Sequence, residues 1–240
     1  MNASAYSDPV YRLKAKTEPE WRALHRLADK AEPEVRAAFL RAVALIKKDV
    51  VLTEVTRALE VGDIEKANRL IPWEEIYESE LEPDLARAFR DLFEKSGEKA
   101  AEFLPDKAQL KFDVTNQRAV DFVRRHTAEL VTDIGAETEA VLRDIVRRGF
   151  EEGIDPHKMA RMMRDHIGLD RIQSRAVENL RRNLASQGLR ADKIKERVDR
   201  YIRKQLRVRT ERISRTETIR GANEGQQELW RQAAERGLID

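Results

Sequence analysis

The chain has 240 residues, of which 38% are charged and only 6% aromatic, with a formal net charge of +2 and no cysteine. That length allows one large or two small domains, and the missing cysteine excludes disulfides and thiolate metal sites. Apolar runs such as Ala42–Ile46 are far short of the ~20 residues a membrane span needs, and Met1–Lys16 lacks the apolar core of a signal peptide, so a soluble protein is expected.

Proline and glycine punctuate the chain at helix ends. Thr17-Glu18-Pro19-Glu20 has capping-box spacing with proline in the first turn. Pro33, Pro72, Pro83 and Pro156 stand at similar starts, while Gly153 and Gly188 are natural stops. In chain order this predicts helices over 18–30, 33–60, 63–70, 73–79, 83–103, 116–132, 136–152, 156–167, 171–187 and 191–235. The last is expected to bend or break, and only Lys111–Val114 reads as extended. Apolar spacing supports the helices: Ala119, Phe122, Val123, His126 and Leu130 share one face, as do Ile194, Val198, Tyr201 and Ile202. The high charge fraction and scarce aromatics suit long helices with exposed faces, so the expected fold is an elongated all-α assembly.

Charge divides unevenly. Residues 1–113 carry 19 bases and 23 acids, and residues 114–240 carry 27 and 21. With Pro105 and the extended stretch, this places a boundary within Pro105–Phe112, giving an N-terminal helical region 1–110 and a second helical domain 111–240. Basic density peaks late. Arg197, Arg200, Arg203, Lys204, Arg207, Arg209, Arg212, Arg215 and Arg220 face only Asp199, Glu211 and Glu217 among acids in that span. A polyanion could be held by such a stripe; the competing reading pairs these arginines with acids on neighbouring helices or subunits.

Catalytic constellations are missing. His25, His126, His157 and His166 never fall at i, i+3 or i+4 to one another. His126 sits on an apolar stripe, as a core histidine does. There is no H-E-x-x-H, glycine-rich phosphate loop or G-x-S-x-G, and Glu74-Glu75 and Glu151-Glu152 are adjacent in sequence, so each pair diverges on a helix. No enzyme activity, metal or cofactor is expected. Met159, Met162 and Met163 read as core filler. Asp155–Leu180 has helix-turn-helix spacing with Arg171, Gln173, Arg175 and Asn179 as potential base readers, but two helices joined by a short glycine turn are also an ordinary packing unit, the reading preferred here.

The sharpest segment is Ile213-Ser214-Arg215-Thr216-Glu217-Thr218, followed by Arg220, Ala222, Asn223 and a run ending near Trp230. Glu211 and Arg215, and Arg220 and Glu224, are helix neighbours four apart. Ser214 and Glu217 have capping-box spacing, yet a continuous helix is the preferred reading because helix formers run through it. On that helix Arg215 and Glu217 point nearly opposite ways and must find different partners.

This string closely resembles the signature helix of the phage Mu F-like minor head proteins, the phage head morphogenesis family. The resemblance extends upstream through Phe112-Asp113-Val114-Thr115-Asn116, Arg124-Arg125-His126, Gly149-Phe150-Glu151-Glu152-Gly153 and Ile167-Gly168-Leu169, and so covers about Phe112 to Asp240. Ile71-Pro72-Trp73-Glu74 is similar to related minor head proteins. Longer family members carry a further segment after the Arg-Thr-Glu helix, often with cysteines, and its role is not carried over. The resemblance implies a minor capsid protein of a tailed phage or prophage that acts by binding in head assembly. The implied partners are the portal protein and the major capsid or scaffold protein, with packaged double-stranded DNA as a candidate. The implied location is the virion, in the head interior or at the portal vertex, and the host cytoplasm during assembly. Arg215, Thr216, Glu217, Arg220 and Asn223 are the expected motif residues. Arg197, Arg200, Arg203, Lys204 and Arg207 are the candidate portal or DNA contacts. The alternative is a standalone nucleic-acid-binding protein using the basic helix 193–220.

Overall fold

The computed structural model describes residues 19–104 and 110–239, and every regular element among them is helical. The helices are α1 (Glu20–Asp49), α2 (Leu52–Glu60), α3 (Ile64–Arg69), α4 (Trp73–Ile76), a π turn (Tyr77–Leu81), α5 (Glu82–Ala101), α6 (Gln117–Glu151), α7 (Pro156–His166), α8 (Arg171–Ser186) and α9 (Ala191–Glu235). The all-α expectation is met. Thr17, Glu18 and most of the expected boundary at 105–112 lie outside the described residues.

Local punctuation holds where a turn is needed and fails where packing overrides it. Asp155 caps α7 by accepting from the Lys158 amide, with Pro156 at the first helical position, and Gly153 ahead of it has φ 63°. Pro33, in contrast, lies inside α1. An interior proline costs ~3 kcal/mol, but Leu24, Ala28 and Val35 on one side and Phe39, Val43 and Ile46 on the other are buried, and that stripe holds one helical register. The break expected at Pro33 occurs instead at Val50-Val51, two β-branched residues. Pro83 stands in the first turn of α5, directly after the π turn, as expected of a proline at a helix start.

Gly135 likewise ends nothing. It lies inside α6, and a Cβ there would stand 2.8 Å from Cζ3 of Trp73. The glycine marks close approach by an aromatic ring, a signal that looks like a helix stop in the sequence alone. Gly149 repeats this beneath Met159, which with Met162 and Met163 is buried as core. His126 is 1% exposed, as its stripe implied. The bend expected in α9 is not a break, because the helix is continuous from Ala191 to Glu235.

The chain forms two compact units, each drawn from stretches separated in sequence. Unit 1 comprises Met1–Val35, Ala86–Arg124 and Ser214–Asp240, and unit 2 comprises Arg36–Leu85 and Arg125–Ile213. The grouping therefore does not follow the sequential division 1–110 and 111–240. A change in charge reports composition, whereas long helices bring distant segments into contact, and contact defines the units.

In unit 1, Phe93 stacks on Phe122 at 5.2 Å between ring centroids and tilts against Phe112 at 5.7 Å. Ala28, Leu92 and Ala222 form a small core with Leu27, Ala31 and Ile219 around it. The segment before α6 is moored by Gln232, whose side-chain amide accepts from the Asp113 N–H at 3.0 Å and donates to the Asp113 carbonyl at 3.0 Å. Arg118 binds both Glu228, which is buried, and Glu235.

In unit 2, Leu169, Val177, Leu184, Val198 and Ile202 form a core among α8, α9 and the turn before α8. The Tyr77 hydroxyl donates to Thr138 Oγ1 at 3.2 Å, because Thr138 already donates to the Ile134 carbonyl at 2.8 Å. Lys47 is half-buried, and its Nζ donates to the Asp165 carbonyl at 2.9 Å. Burial holds the Lys47 ammonium down to a pKa of about 8, against an opposing pull from Asp165. Below pH 8 both folded and unfolded states are protonated, and the buried charge is a penalty. Between about 8 and the ordinary lysine value the folded state releases its proton first, so stability rises with pH. Lys47→Met should therefore stabilise the protein by about 1–2 kcal/mol at pH 7 after the loss of one hydrogen bond worth ~1 kcal/mol. It should also flatten the rise between pH 8 and 10 in a series of denaturant titrations.

Candidate binding surface on the long helix

α9 sorts its residues by angle. In its unit 2 portion Val198, Ile202 and Arg209 are buried and Leu206 half-buried, following i, i+4, i+8 and i+11. The opposite side exposes Arg197, Arg200, Arg203, Lys204 and Arg207, the predicted basic face. Arg200 pairs with Glu196 at 2.9 Å and Arg207 loosely with Glu211 at 3.8 Å. Arg197, Arg203 and Lys204 form no ion pair among the described residues.

Two further arginines of the sequence stripe have structural roles. Arg212 binds Asp170 at 3.1 Å. Arg209 is fully buried: Nη1 donates to the Gly168 carbonyl at 2.7 Å, Nη2 pairs with the Glu137 carboxylate, and the guanidinium lies 5.5 Å from the Phe39 ring centre. Gly168 has φ 86°, and a Cβ there would meet Val43 at 2.7 Å and Leu206 at 2.9 Å. One planar cation thus fixes the turn between α7 and α8 against α1, α6 and α9 within unit 2. The sequence did contain the signal, since Arg209 falls in phase with Val198 and Ile202, not with the exposed bases.

In unit 1 the motif divides in the same way. Ser214, Thr218, Gly221, Ala222 and Gly225 are buried. Gly221 approaches Leu92 and Phe89, and a Cβ on Gly225 would stand 2.5 Å from the Phe93 carbonyl oxygen. Small residues therefore seat this part of α9 against α5. Arg215, Thr216, Arg220 and Asn223 are exposed on the other side, and Glu217 is half-buried. Arg220 and Glu217 approach at 3.9 Å, too far for a strong pair. Arg215 makes no ion pair among the described residues, so the motif arginine does not act as an internal strut. The Thr218 hydroxyl, by contrast, turns back to the Arg215 carbonyl at 3.3 Å.

The helix-turn-helix spacing is a packing unit. Asp170 and Gln173 form a reciprocal capping box, and Gln173, 7% exposed, also donates to the Gln205 carbonyl at 3.0 Å. Arg175 approaches Asp144 at 3.5 Å. Of the four potential base readers Gln173 is buried, Arg175 and Asn179 are exposed but engaged within unit 2, Asn179 by accepting from Arg182 at 2.9 Å, and Arg171 is exposed.

Sequence reasoning did not find the buried polar cluster of α7 and α8. His166 Nδ1 lies 2.8 Å from Ser174 Oγ, and Nε2 lies 3.0 Å from Glu178 Oε1. Burial pushes the Glu178 carboxyl up, but His166, Arg181 and Arg148 outweigh it, so its pKa lies below the usual range. Ser174 is 1% exposed and His166 fully buried, which leaves no room for a substrate at the hydroxyl; the cluster locks two helices. Among the described residues no group of acids and histidines is arranged to hold a metal ion, and no helix is long and apolar enough to cross a membrane.

No family model, curated protein or solved structure matches the chain.

Proposed function

We propose that this chain works by binding rather than turnover, as an all-α docking protein, and within that class as a minor head protein of a tailed phage or prophage. It would act in head assembly at the portal vertex or inner shell. The resemblance of Ile213–Thr218, Arg220 and Asn223 to the head morphogenesis signature supports the reading. The observation that carries it is the division of that signature: its small residues are buried against α5, while Arg215, Thr216, Arg220 and Asn223 stay on the exposed side. Exposed arginine and asparagine at fixed helical spacing offer charge-assisted bonds to a partner's carboxylates.

The combined variant Arg215→Ala, Arg220→Ala, Asn223→Ala tests this. Surface changes of this kind move stability by about 0.5 kcal/mol or less each, so the melting temperature should change little. Production of infectious heads in a complementation assay, and retention of the chain by the portal ring, should fall at least tenfold. Full infectivity from the triple variant would overturn the reading.

The second reading, a nucleic-acid-binding protein, is favoured by Arg197, Arg203 and Lys204, exposed and without internal ion pairs. Duplex binding whose logarithm falls linearly with log salt, with a slope reduced by Arg197→Ala and Arg203→Ala, would support it.

A further inference from the structure

The basic face of α9 has a counterpart on unit 2 itself. From Trp73 to Glu82 the chain carries Glu74, Glu75, Glu78, Glu80 and Glu82 and no base. The first four are exposed. Glu74 and Glu75 border a cleft of about 380 Å3 together with Glu65 and Glu139. Two cations share it: Arg143, which binds Glu139 at 2.8 Å and Glu65 at 3.5 Å, and Arg69. Four carboxylates against two guanidiniums leave the cleft acidic, with Glu74 and Glu75 forming no ion pair among the described residues.

The cleft is built, not merely charged. Trp73 forms part of its wall and is seated by the missing Cβ of Gly135, and an aromatic face attracts an arginine or lysine head group. Asn68, 7% exposed, borders the cleft with neither side-chain amide atom bonded. A buried amide without partners costs of order 1–3 kcal/mol, so a segment that brings a donor and an acceptor to it would be favoured.

We infer that the occupant is a second copy of this chain: the Arg197–Arg207 face of one copy docks at the Trp73–Glu75 cleft of the next. The argument is complementarity within one unit. Arg197, Arg203 and Lys204 are cations without internal ion pairs, Glu74 and Glu75 are anions without them, and the pairs these surfaces do make stay on their own side, Arg200 with Glu196 and Arg143 with Glu65 and Glu139. Because the two patches differ, copies join either reciprocally about a two-fold axis or head-to-tail into a ring or an open string. This goes beyond the proposed role in head assembly and does not depend on it.

Two charge-reversed proteins test the proposal, Glu74→Lys with Glu75→Lys, and Arg203→Glu with Lys204→Glu. All four positions are exposed, and circular dichroism should show both variants folded. In sedimentation velocity, the unaltered protein should gain mass with concentration at low salt. It should return to monomer at ~1 M salt, where the screening length is about 3 Å. Each variant alone should associate at least tenfold more weakly. An equimolar mixture should regain assembly, since the basic face of the first variant meets the acidic cleft of the second and the lysine cleft of the first meets the glutamate face of the second. A protein that is monomeric in low salt at every concentration overturns the proposal, as does a variant that still assembles alone or a mixture that stays monomeric. Low-salt monomer that instead retains duplex DNA on the basic face, or a lysine-rich peptide at the cleft, also overturns it and assigns the surface to that ligand.

Discussion

Replacing Arg209 by alanine should lower stability by about 3–4 kcal/mol, a fall in melting temperature of roughly 10 °C for a chain of this size. The charge pair is not the main reason. Glu137 has 51% of its side chain exposed, and a half-exposed pair contributes little. The loss comes from the fully buried volume, from the orphaned Gly168 carbonyl and from the contact with Phe39. Truncating a large buried side chain costs ~2–5 kcal/mol, and leaving a buried carbonyl without a donor adds ~1–3 kcal/mol before relaxation. Arg209→Lys should recover less than half of the loss, because an ammonium is a point donor and cannot reach the carbonyl and the carboxylate with one planar group. Arg209→Met, which restores volume without hydrogen bonds, separates the two contributions. Chemical denaturation of the three variants measures this; an alanine variant within 1 kcal/mol of the parent would show that the buried guanidinium is dispensable.

The second large effect should come from Gly225. A methyl group there would stand 2.5 Å from the Phe93 carbonyl oxygen and 3.1 Å from Ser96 Cβ. The first neighbour is backbone and cannot rotate away, so α9 and α5 must separate locally. Overpacking of this kind costs ~1–3 kcal/mol, more than the ~1 kcal/mol of helix propensity that Gly→Ala gains. Gly225→Ala should therefore destabilise the protein by about 1–2 kcal/mol, and Gly225→Val by more. Gly221 supplies the internal contrast. A methyl group at that position would meet Leu92 at 3.4 Å and Phe89 at 3.8 Å, ordinary contact distances, so Gly221→Ala should be neutral or stabilising by up to ~1 kcal/mol. Opposite signs at two glycines one turn apart would be read directly from paired thermal melts. Equal signs would mean that α9 does not sit against α5 in this register.

These residues also show what a sequence can and cannot disclose. The apolar stripe from Ala119 to Leu130, the stop at Gly153 and the cap at Asp155 are legible because each depends on neighbours within one or two turns. Pro33 and Gly135 mislead because their local meaning is a helix end, which the buried stripe along α1 overrides at Pro33 and the approach of Trp73, 62 positions away, overrides at Gly135. The basic face of α9 is legible from spacing alone, yet Arg209 falls within the same run of bases. Its residue type says surface, and only its phase with Val198 and Ile202 says core. The exposed half of the Arg-Thr-Glu motif can be named from sequence but not oriented, since helical angle alone does not say which side meets a neighbour. The cleft beside Trp73 has no local signature beyond a run of glutamates.

The mooring of Asp113 by Gln232 has a temporal consequence. The two residues are 119 positions apart, and unit 1 also needs Leu27 and Ala28 near the start of the described chain beside Ile219 and Ala222 near its end. All of unit 2 precedes Ser214. On a ribosome, which adds ~5–20 residues per second, the residues of unit 2 can find one another while the end of α9 is still being made. Those of unit 1 must wait with Phe93, Phe112 and Phe122 lacking their last partner helix. That interval, not the finished fold, is when this chain most exposes apolar surface.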